Sequence, residues 1–152
     1  WLLHRTFLNG YAMNILLVDD NVDYLFPMKE ALYSHGYTVY AADDGTQATK
    51  IISATTLDLI ISDIKMPNFD GMQLHQFVRE MKAYAKTKFI FISGYHDLYS
   101  DKLNLSPGRD YFIDKTMAAD EIIKFIDRLM FGKYAEVWVW PHFQQQLVNY
   151  EG

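Results

Sequence analysis

Short, continuous apolar segments along this chain predict a sheet of parallel strands. The segments are Ile15–Val18, Leu57–Ser62, Phe89–Ile92 and Tyr111–Ile113, and Tyr37–Ala42, after Gly36, is a further strand candidate. Strands that are buried on both faces of a parallel sheet are apolar throughout, whereas strands with one face in water alternate between apolar and polar residues. The pattern therefore favours a parallel sheet that is covered on both faces.

Between these segments, apolar residues recur three and four positions apart, which predicts amphipathic helices. The first apolar stripe comprises Val22, Leu25, Phe26, Leu32 and Tyr33, with Asn21 as the N-cap. Later stripes comprise Ala48, Ile51 and Ile52; Leu74, Phe77, Val78 and Met81; and Ile122, Ile123, Ile126, Leu129 and Met130. The segment from His96 to Leu105 has the weakest period, so we expect the helix there to be the least firmly docked.

Five strands that alternate with five helices predict a right-handed, doubly wound α/β fold with helices on both faces of the sheet. The expected strand order is 2-1-3-4-5, as in flavodoxin-like sheets, which places strand 1 beside strand 3. Open parallel sheets bind ligands at the carboxyl ends of the strands, where the strand order reverses. Polar residues that follow strands 1 and 3 are therefore the first candidates for a site.

Composition narrows the class of protein. The chain has 152 residues, half of them apolar, and a net charge of −5. This composition suits one globular domain and argues against a nucleic-acid-binding surface. The absence of cysteine excludes disulfides, cysteine zinc sites and thiol catalysis. No apolar stretch is long enough to span a bilayer and the opening residues do not form a secretory signal, so we expect a cytoplasmic location and no membrane contact.

Three segments are expected along the chain. Met13 directly precedes the first strand, so residues 1–12 are either an added segment, a tail or the end of something upstream, and residues 13–132 are the α/β domain. Residues 133–152 form an extension whose aromatic residues are Tyr134, Trp138, Trp140, Phe143 and Tyr150. The extension either packs on its own domain, binds a partner or a second copy, or is the stub of a further domain. Its length is too small for an independent output domain.

Reactive side chains follow four of the predicted strands. Asp19 and Asp20 follow strand 1, Asp63 follows strand 3, Ser93 follows strand 4, and Lys115 comes shortly after strand 5. Three carboxylates at one edge repel one another unless a cation is present, and oxygen ligands favour a hard ion such as Mg²⁺, with Mn²⁺ as an alternative. A lysine at the same edge could neutralise a phosphoryl group.

Each of these residues also has an ordinary structural interpretation. An aspartate pair after a strand is equally a turn or a helix cap, a serine at that point is commonly a cap, and a lone lysine is usually a solvated surface residue. The order of the whole set along successive strands weakens these interpretations. The five histidines are scattered, and His75 and His96 are interpreted as surface residues of helices. No glycine-rich nucleotide loop or nucleophile elbow is present.

Residues 13 to about 131 resemble the receiver domain of response regulators in two-component signalling. The strings that carry the resemblance are Ile15-Leu16-Leu17-Val18-Asp19-Asp20-Asn21, Asp63-Ile64-Lys65-Met66-Pro67-Asn68-Phe69-Asp70-Gly71, Phe91-Ile92-Ser93-Gly94 and Phe112-Ile113-Asp114-Lys115. Any one string alone is a weak signal, but their order and spacing together are specific. The resemblance implies a phosphoacceptor signalling domain rather than a conventional enzyme, with a sensor histidine kinase or a phosphotransfer protein as partner and a possible homodimer.

The resemblance also implies roles for single residues. Asp63 would accept the phosphoryl group, and Asp20 and Asp63 would bind Mg²⁺ directly. Asp19 would act mainly through a bound water, and the backbone carbonyl of Lys65 would be a further metal ligand. Lys115 would pair with the phosphoryl oxygens.

Ser93 and Phe112 would then transmit the signal. Ser93 would close on the phosphoryl group, and Phe112 would turn inward as the aromatic switch residue. The surface that changes would be formed by the helix at 96–105, strand 5 and the last helix. Three residues depart from the family pattern: Thr116 stands where proline is usual, Phe112 replaces the commoner tyrosine, and Lys65 places a cation near the acceptor.

Two other hypotheses remain at this point. A pseudo-receiver would act by binding alone, without phosphorylation, although the complete acidic set and Lys115 count against it. A small α/β phosphatase or a flavodoxin-like cofactor carrier is the alternative from another class. Asp63-Ile64-Lys65 lacks the second aspartate expected of an aspartate-based phosphatase, and no phosphate-binding loop for a flavin follows strand 1.

Overall fold

The computed structural model describes residues 12–94 and 102–132, which contain five strands and four α-helices. The strands are β1 (Asn14–Val18), β2 (Thr38–Ala42), β3 (Leu59–Asp63), β4 (Lys88–Ser93) and β5 (Asp110–Asp114). The α-helices are α1 (Val22–Ser34), α2 (Gly45–Ala54), α3 (Gly71–Glu80) and α4 (Ala119–Phe131), and a 3₁₀ turn spans Lys82–Tyr84. The chain divides after Thr116 into two compact units; the first holds all five strands and α1 to α3, and the second holds α4.

The five strands form one parallel sheet in the order β2-β1-β3-β4-β5. This confirms the predicted α/β class and the strand order. The register pairs Val18 with Ser62 and Asp63 with Ile92. Asp19, which follows β1, and Ser93, the last residue of β4, therefore lie near the end of β3. The topology thus gathers the candidate residues at one edge of the sheet.

Alternate residues of the strands are buried on opposite faces of the sheet. On one face a single apolar cluster joins the strands to α2 and α3, and its members include Leu16, Val18, Ala48, Ile52, Ile60, Leu74, Val78, Phe89 and Phe91. Ile15, Leu17 and Leu59 are equally buried, and their positions in the strands direct them to the other face. Helix α1 contacts β1 and β2. Neither face of the central strands is therefore exposed to solvent, as their apolar sequences predict.

Helix α1 begins where the sequence predicts, but its buried face is narrower than the predicted stripe. The Asn21 side chain accepts a hydrogen bond from the backbone N–H of Asp23 at 3.1 Å, which confirms the N-cap. Leu25 and Leu32 are buried, together with Met28. The prediction was wrong for three members of the stripe, because Val22, Phe26 and Tyr33 are 43%, 54% and 62% exposed.

The loop between β3 and α3 is held tightly against Asp63. Asp70 and Gln73 form a capping box at the start of α3, with side-chain to backbone distances of 2.9 and 2.8 Å. The Gly71 N–H donates to the carbonyl of Ile64 at 2.9 Å. A Cβ at Gly71 would lie 2.1 Å from the carbonyl oxygen of Asp63, so only glycine fits there without displacing the backbone of the candidate phosphoacceptor.

His75 is not the plain surface residue that the sequence suggests. Its ring packs against Phe89 and Phe91, with centroids 4.9 and 5.0 Å away, and its Nε2 lies 2.9 Å from Oδ1 of Asp110. Arg79 donates to the same oxygen at 2.6 Å. The helical period of α3 shows which residues share a face, but not that this face meets the buried carboxylate of Asp110 at the start of β5.

Some predicted segments lie outside the described residues. The helix expected over 96–105 falls mostly on the undescribed residues 95–101, and residues 102–105 are not helical. Residues 1–11 of the predicted tail and the aromatic extension at 133–152 are also not described, so the domain bounds remain predictions. In the part of the chain that the structure describes, no helix is both long enough and apolar enough to cross a membrane.

Candidate functional site

Three carboxylates converge at the carboxyl ends of β1 and β3. Asp19, Asp20 and Asp63 each place an oxygen within 4.8 Å of the others. Asp19 and Asp63 are buried, whereas Asp20 is exposed and so gives the group one side open to solvent. Oxygen ligands at this spacing fit a hard divalent cation that keeps part of its water shell.

Lys115 brings a positive charge from the end of β5 to the same carboxylates. Its Nζ lies 2.6 Å from Oδ2 of Asp19 and 3.5 Å from Oδ2 of Asp63. The backbone N–H of Lys115 donates to the carbonyl of Ser93 at 3.0 Å, which fixes the lysine to the end of β4. The ends of four strands therefore meet in one polar site.

Burial and mutual repulsion raise the proton affinity of the two buried acids. Burial, followed by the charge of Asp19, raises the pKa of Asp63 from 3.8 to about 6, although the Lys115 charge opposes the rise. Burial also raises the pKa of Asp19, against hydrogen bonds from Lys115 and from the N–H of Asn21, which lies 2.9 Å from Oδ1. One ammonium thus leaves the acidic group short of positive charge, and this is the physical condition that a bound cation relieves.

The other predicted site residues surround this group. Ser93 is fully buried at the end of β4, one residue past the position that pairs with Asp63. A Cβ at Gly94 would meet no atom of the described residues within 4 Å. The side chain of Lys65 is exposed. Phe112 is half-buried and packs against the apolar cluster on the α2 and α3 face.

Tyr24 is a member of the site that the sequence did not reveal. Its ring centroid lies 4.7 Å from the Nζ of Lys115, and its hydroxyl is buried without a hydrogen-bond partner among the described residues. Burial, and then the charges of Asp19 and Asp63, raise the pKa of the Tyr24 phenol well above its usual value. The available signal was its position in the first turn of α1, four residues after Asp20, which directs it toward the strand ends.

Thr116, which stands where the family pattern has proline, helps to order the turn after β5. Thr116 donates to Oδ1 of Asp114 with both its backbone N–H, at 2.8 Å, and its hydroxyl, at 2.7 Å. Proline at this position would supply neither donor. These two hydrogen bonds to Asp114 therefore help to hold the turn that carries Lys115.

Comparison with known proteins identifies the family and the fold of this chain. The family model described as "Response regulator receiver domain" matches residues 15–127. The chain is 28% identical over 121 residues to the transcriptional regulatory protein TrcR of Mycobacterium tuberculosis, covering 80% of this chain and 46% of TrcR. The chain spans about half of the length of the curated relatives that it matches.

Two solved structures show the same fold. Chemotaxis protein CheY4 of Vibrio cholerae superposes with a TM-score of 0.71 at 24% identity, covering 78% of this chain and 98% of CheY4. Response regulator TrrA of Thermotoga maritima, solved in complex with Mg²⁺ and BeF, gives a TM-score of 0.66 at 29% identity, covering 77% of this chain and 98% of TrrA.

Proposed function

The chain belongs to the response regulator receiver domain family, and on that basis we propose that Asp63 is the phosphoacceptor of a two-component signalling pathway. The phosphodonor would be a phosphohistidine on a sensor histidine kinase or on a phosphotransfer protein. The observation that carries the proposal is the convergence of Asp19, Asp20, Asp63 and Lys115, delivered by separate strands to one partly open site.

The proposed metal is Mg²⁺, or Mn²⁺ in its place. Asp20 and Asp63 would bind it directly, Asp19 would act mainly through a bound water, and the backbone carbonyl of Lys65 would complete the protein ligands. The carboxylates within 4.8 Å of one another and the raised pKa values of Asp19 and Asp63 support a cation at this position. The likeness to TrrA, which was solved with Mg²⁺ and BeF, also supports it. When bound, the metal would neutralise negative charge on the phosphoryl oxygens.

Phosphoryl transfer at this site depends on positioning and charge neutralisation. A carboxylate oxygen of Asp63 would attack phosphorus in line with the phosphorus–nitrogen bond, which breaks as the imidazole leaves with the bonding electrons. The product would be an acyl phosphate on Asp63. Lys115, whose Nζ is 3.5 Å from Oδ2 of Asp63, would pair with the transferred oxygens. Water attack at phosphorus would later release phosphate and restore the carboxylate.

The added charge would then bias a two-state surface. Ser93 would donate its hydroxyl to the phosphoryl group, and Phe112 would turn inward as Ser93 moves. The responding surface would include β5 and the segments on either side of it. Its output would be contact with a partner protein.

Incubation with Mg²⁺ and acetyl phosphate as a small phosphodonor, followed by intact-mass measurement, tests the proposal. We expect one labile phosphate on the wild-type chain and none on Asp63→Asn. Asp43→Asn, which changes an exposed aspartate outside the site, is the matched control and should label normally. Persistent labelling of Asp63→Asn would place the chemistry on another residue, and a wild-type chain that no donor labels would favour a receiver that acts by binding alone.

A further inference from the structure

The hydroxyl of Tyr24 is a buried hydrogen-bond donor close to the acidic group. It is buried without a hydrogen-bond partner among the described residues, although it belongs to a side chain that reaches the acidic group. A buried donor without a partner costs free energy, so such groups are rare unless a water, an ion or a functional ligand satisfies them. Tyr24 therefore offers a buried donor to a ligand at this site.

Both oxygens of Asp19 already face a donor or a positive charge. Oδ1 of Asp19 accepts from the backbone N–H of Asn21 at 2.9 Å, and Oδ2 of the same carboxylate pairs with Lys115 at 2.6 Å. Lys115 also faces Oδ2 of Asp63 at 3.5 Å. The Tyr24 ring covers the Lys115 ammonium, and the charges of Asp19 and Asp63 help to raise the pKa of its phenol, so the phenol lies close to both the ammonium and these carboxylates. A new acceptor oxygen at that place would find both donors.

We propose that the Tyr24 hydroxyl donates a hydrogen bond to a phosphoryl oxygen on Asp63, so that Tyr24 and Lys115 together hold the transferred group. The inference rests on the proposed function and adds a residue to it. Burial and the charges of Asp19 and Asp63 keep the phenol protonated, and therefore a donor, throughout the physiological pH range. The ring also stabilises the ammonium through a cation–π contact at 4.7 Å.

Tyr24→Phe separates the hydroxyl from the ring, because the cation–π contact with Lys115 is retained. The probes are Mg²⁺ alone and Mg²⁺ with beryllofluoride, which stands in for the phosphoryl group, with affinities measured by titration calorimetry. We expect Tyr24→Phe to bind beryllofluoride about 10-fold more weakly than the wild type, the usual effect of losing one hydrogen bond to a charged group. Its affinity for Mg²⁺ alone should not change. Tyr33→Phe, an exposed tyrosine of the same helix, is the matched control.

A second measurement distinguishes this role from a structural one. Because no described protein group accepts a hydrogen bond from the hydroxyl, Tyr24→Phe should not lower the urea midpoint of the metal-free protein, although it weakens beryllofluoride binding. Equal beryllofluoride affinity in the two proteins would overturn the inference, as would weaker binding of Mg²⁺ alone, which would assign the hydroxyl to a metal-bound water. A wild-type chain that binds no beryllofluoride with Mg²⁺ would instead overturn the proposed function.

Discussion

Lys115 pairs more closely with Asp19 than with Asp63. Its Nζ is 2.6 Å from Oδ2 of Asp19 and 3.5 Å from Oδ2 of Asp63. In the unphosphorylated protein, Lys115 therefore pairs mainly with Asp19, which is proposed to contact the metal through water. It pairs less closely with Asp63, the proposed phosphoacceptor. Phosphorylation of Asp63 would offer the ammonium a stronger partner, and its shift from Asp19 would pull on the end of β5.

Lys115→Ala should separate metal binding from signalling. Mg²⁺ affinity should be retained or should rise, because the three carboxylates remain and a repelling charge is removed. Phosphorylation or beryllofluoride should no longer shift the amide NMR signals of β5, since the link between the phosphoryl group and the strand is lost. Lys88→Ala, which changes the first residue of β4 at the opposite edge of the sheet, is the control. A full set of β5 shifts in Lys115→Ala would contradict this role.

Asp63→Asn should stabilise the metal-free protein at neutral pH. Burial, and then the charge of Asp19, raise the pKa of Asp63 to about 6. Since the folded pKa is above the unfolded one, the stability linked to this carboxyl is complete below about pH 4 and is lost as pH rises through about 6. A shift of about two pKa units corresponds to about 2–3 kcal/mol at pH 7.

Urea unfolding of the wild type and Asp63→Asn in a metal chelator, at pH 4 and pH 7, measures this effect. The two proteins should be similar at pH 4, and the variant should be the more stable at pH 7. Asp43→Asn, with an exposed side chain, should show no such gain. A variant that is less stable than the wild type at pH 7 would contradict the electrostatic account of the site.

Asp110→Asn should have the opposite dependence on pH. Burial acts to raise the pKa of Asp110, but hydrogen bonds from the Ser106 N–H, Arg79 and His75 outweigh it and hold the pKa below its ordinary value. The stability linked to this carboxylate is present above about pH 4 and is lost as pH falls through the folded pKa. Because the change leaves the buried end of Arg79 without a counter-charge, we expect a loss of about 2–4 kcal/mol at pH 7.

Urea unfolding at several pH values tests this expectation. The difference between the wild type and Asp110→Asn should become smaller below pH 4, where the wild-type carboxylate takes up a proton. Glu80→Gln, an exposed residue of α3, is the control. A difference that stays constant into acid would show that the Asp110 charge is not the source of the stability.

Gly71→Ala should disturb the site through the backbone. The added Cβ would lie 2.1 Å from the Asp63 carbonyl oxygen, so the start of α3 or the end of β3 must move. We expect a loss of about 1–3 kcal/mol or more in stability, together with slower labelling by acetyl phosphate. Gly94→Ala is the matched control, since its Cβ would meet no described atom within 4 Å. Equal stability of the two alanine variants would show that the contact at Gly71 relaxes without cost.

The sequence predicted the strand-borne part of the site and missed the helix-borne part. Asp19, Asp63 and Ser93 follow apolar strands, and the parallel sheet gives their relative positions once the strand order is known. Tyr24 joins the site because its ring meets the ammonium of Lys115, which is remote in sequence, and no local pattern encodes that contact. His75 was misjudged for the same reason, because its ring packs against Phe89 and Phe91 and its Nε2 meets Asp110, all remote in sequence.

The apolar stripe of α1 shows a further limit. Phe26 and Tyr33 follow the period of Leu25 and Leu32, yet both are exposed, because the sheet covers only a narrow face of this helix. Periodicity gives the direction of the buried face, whereas the packing partner sets its width. The segment at 95–101 and the extension at 133–152 lie outside the described residues, and their roles in switching and partner binding remain predictions.

Chemical trapping of the phosphorylated residue tests the central claim most directly. Borohydride reduces an acyl phosphate on aspartate to homoserine, which peptide mapping by mass spectrometry locates to a single position. After incubation with Mg²⁺ and acetyl phosphate, we predict homoserine at position 63 and none when Mg²⁺ is chelated. Homoserine at position 19 or 20, or labelling that does not depend on the metal, would contradict the account.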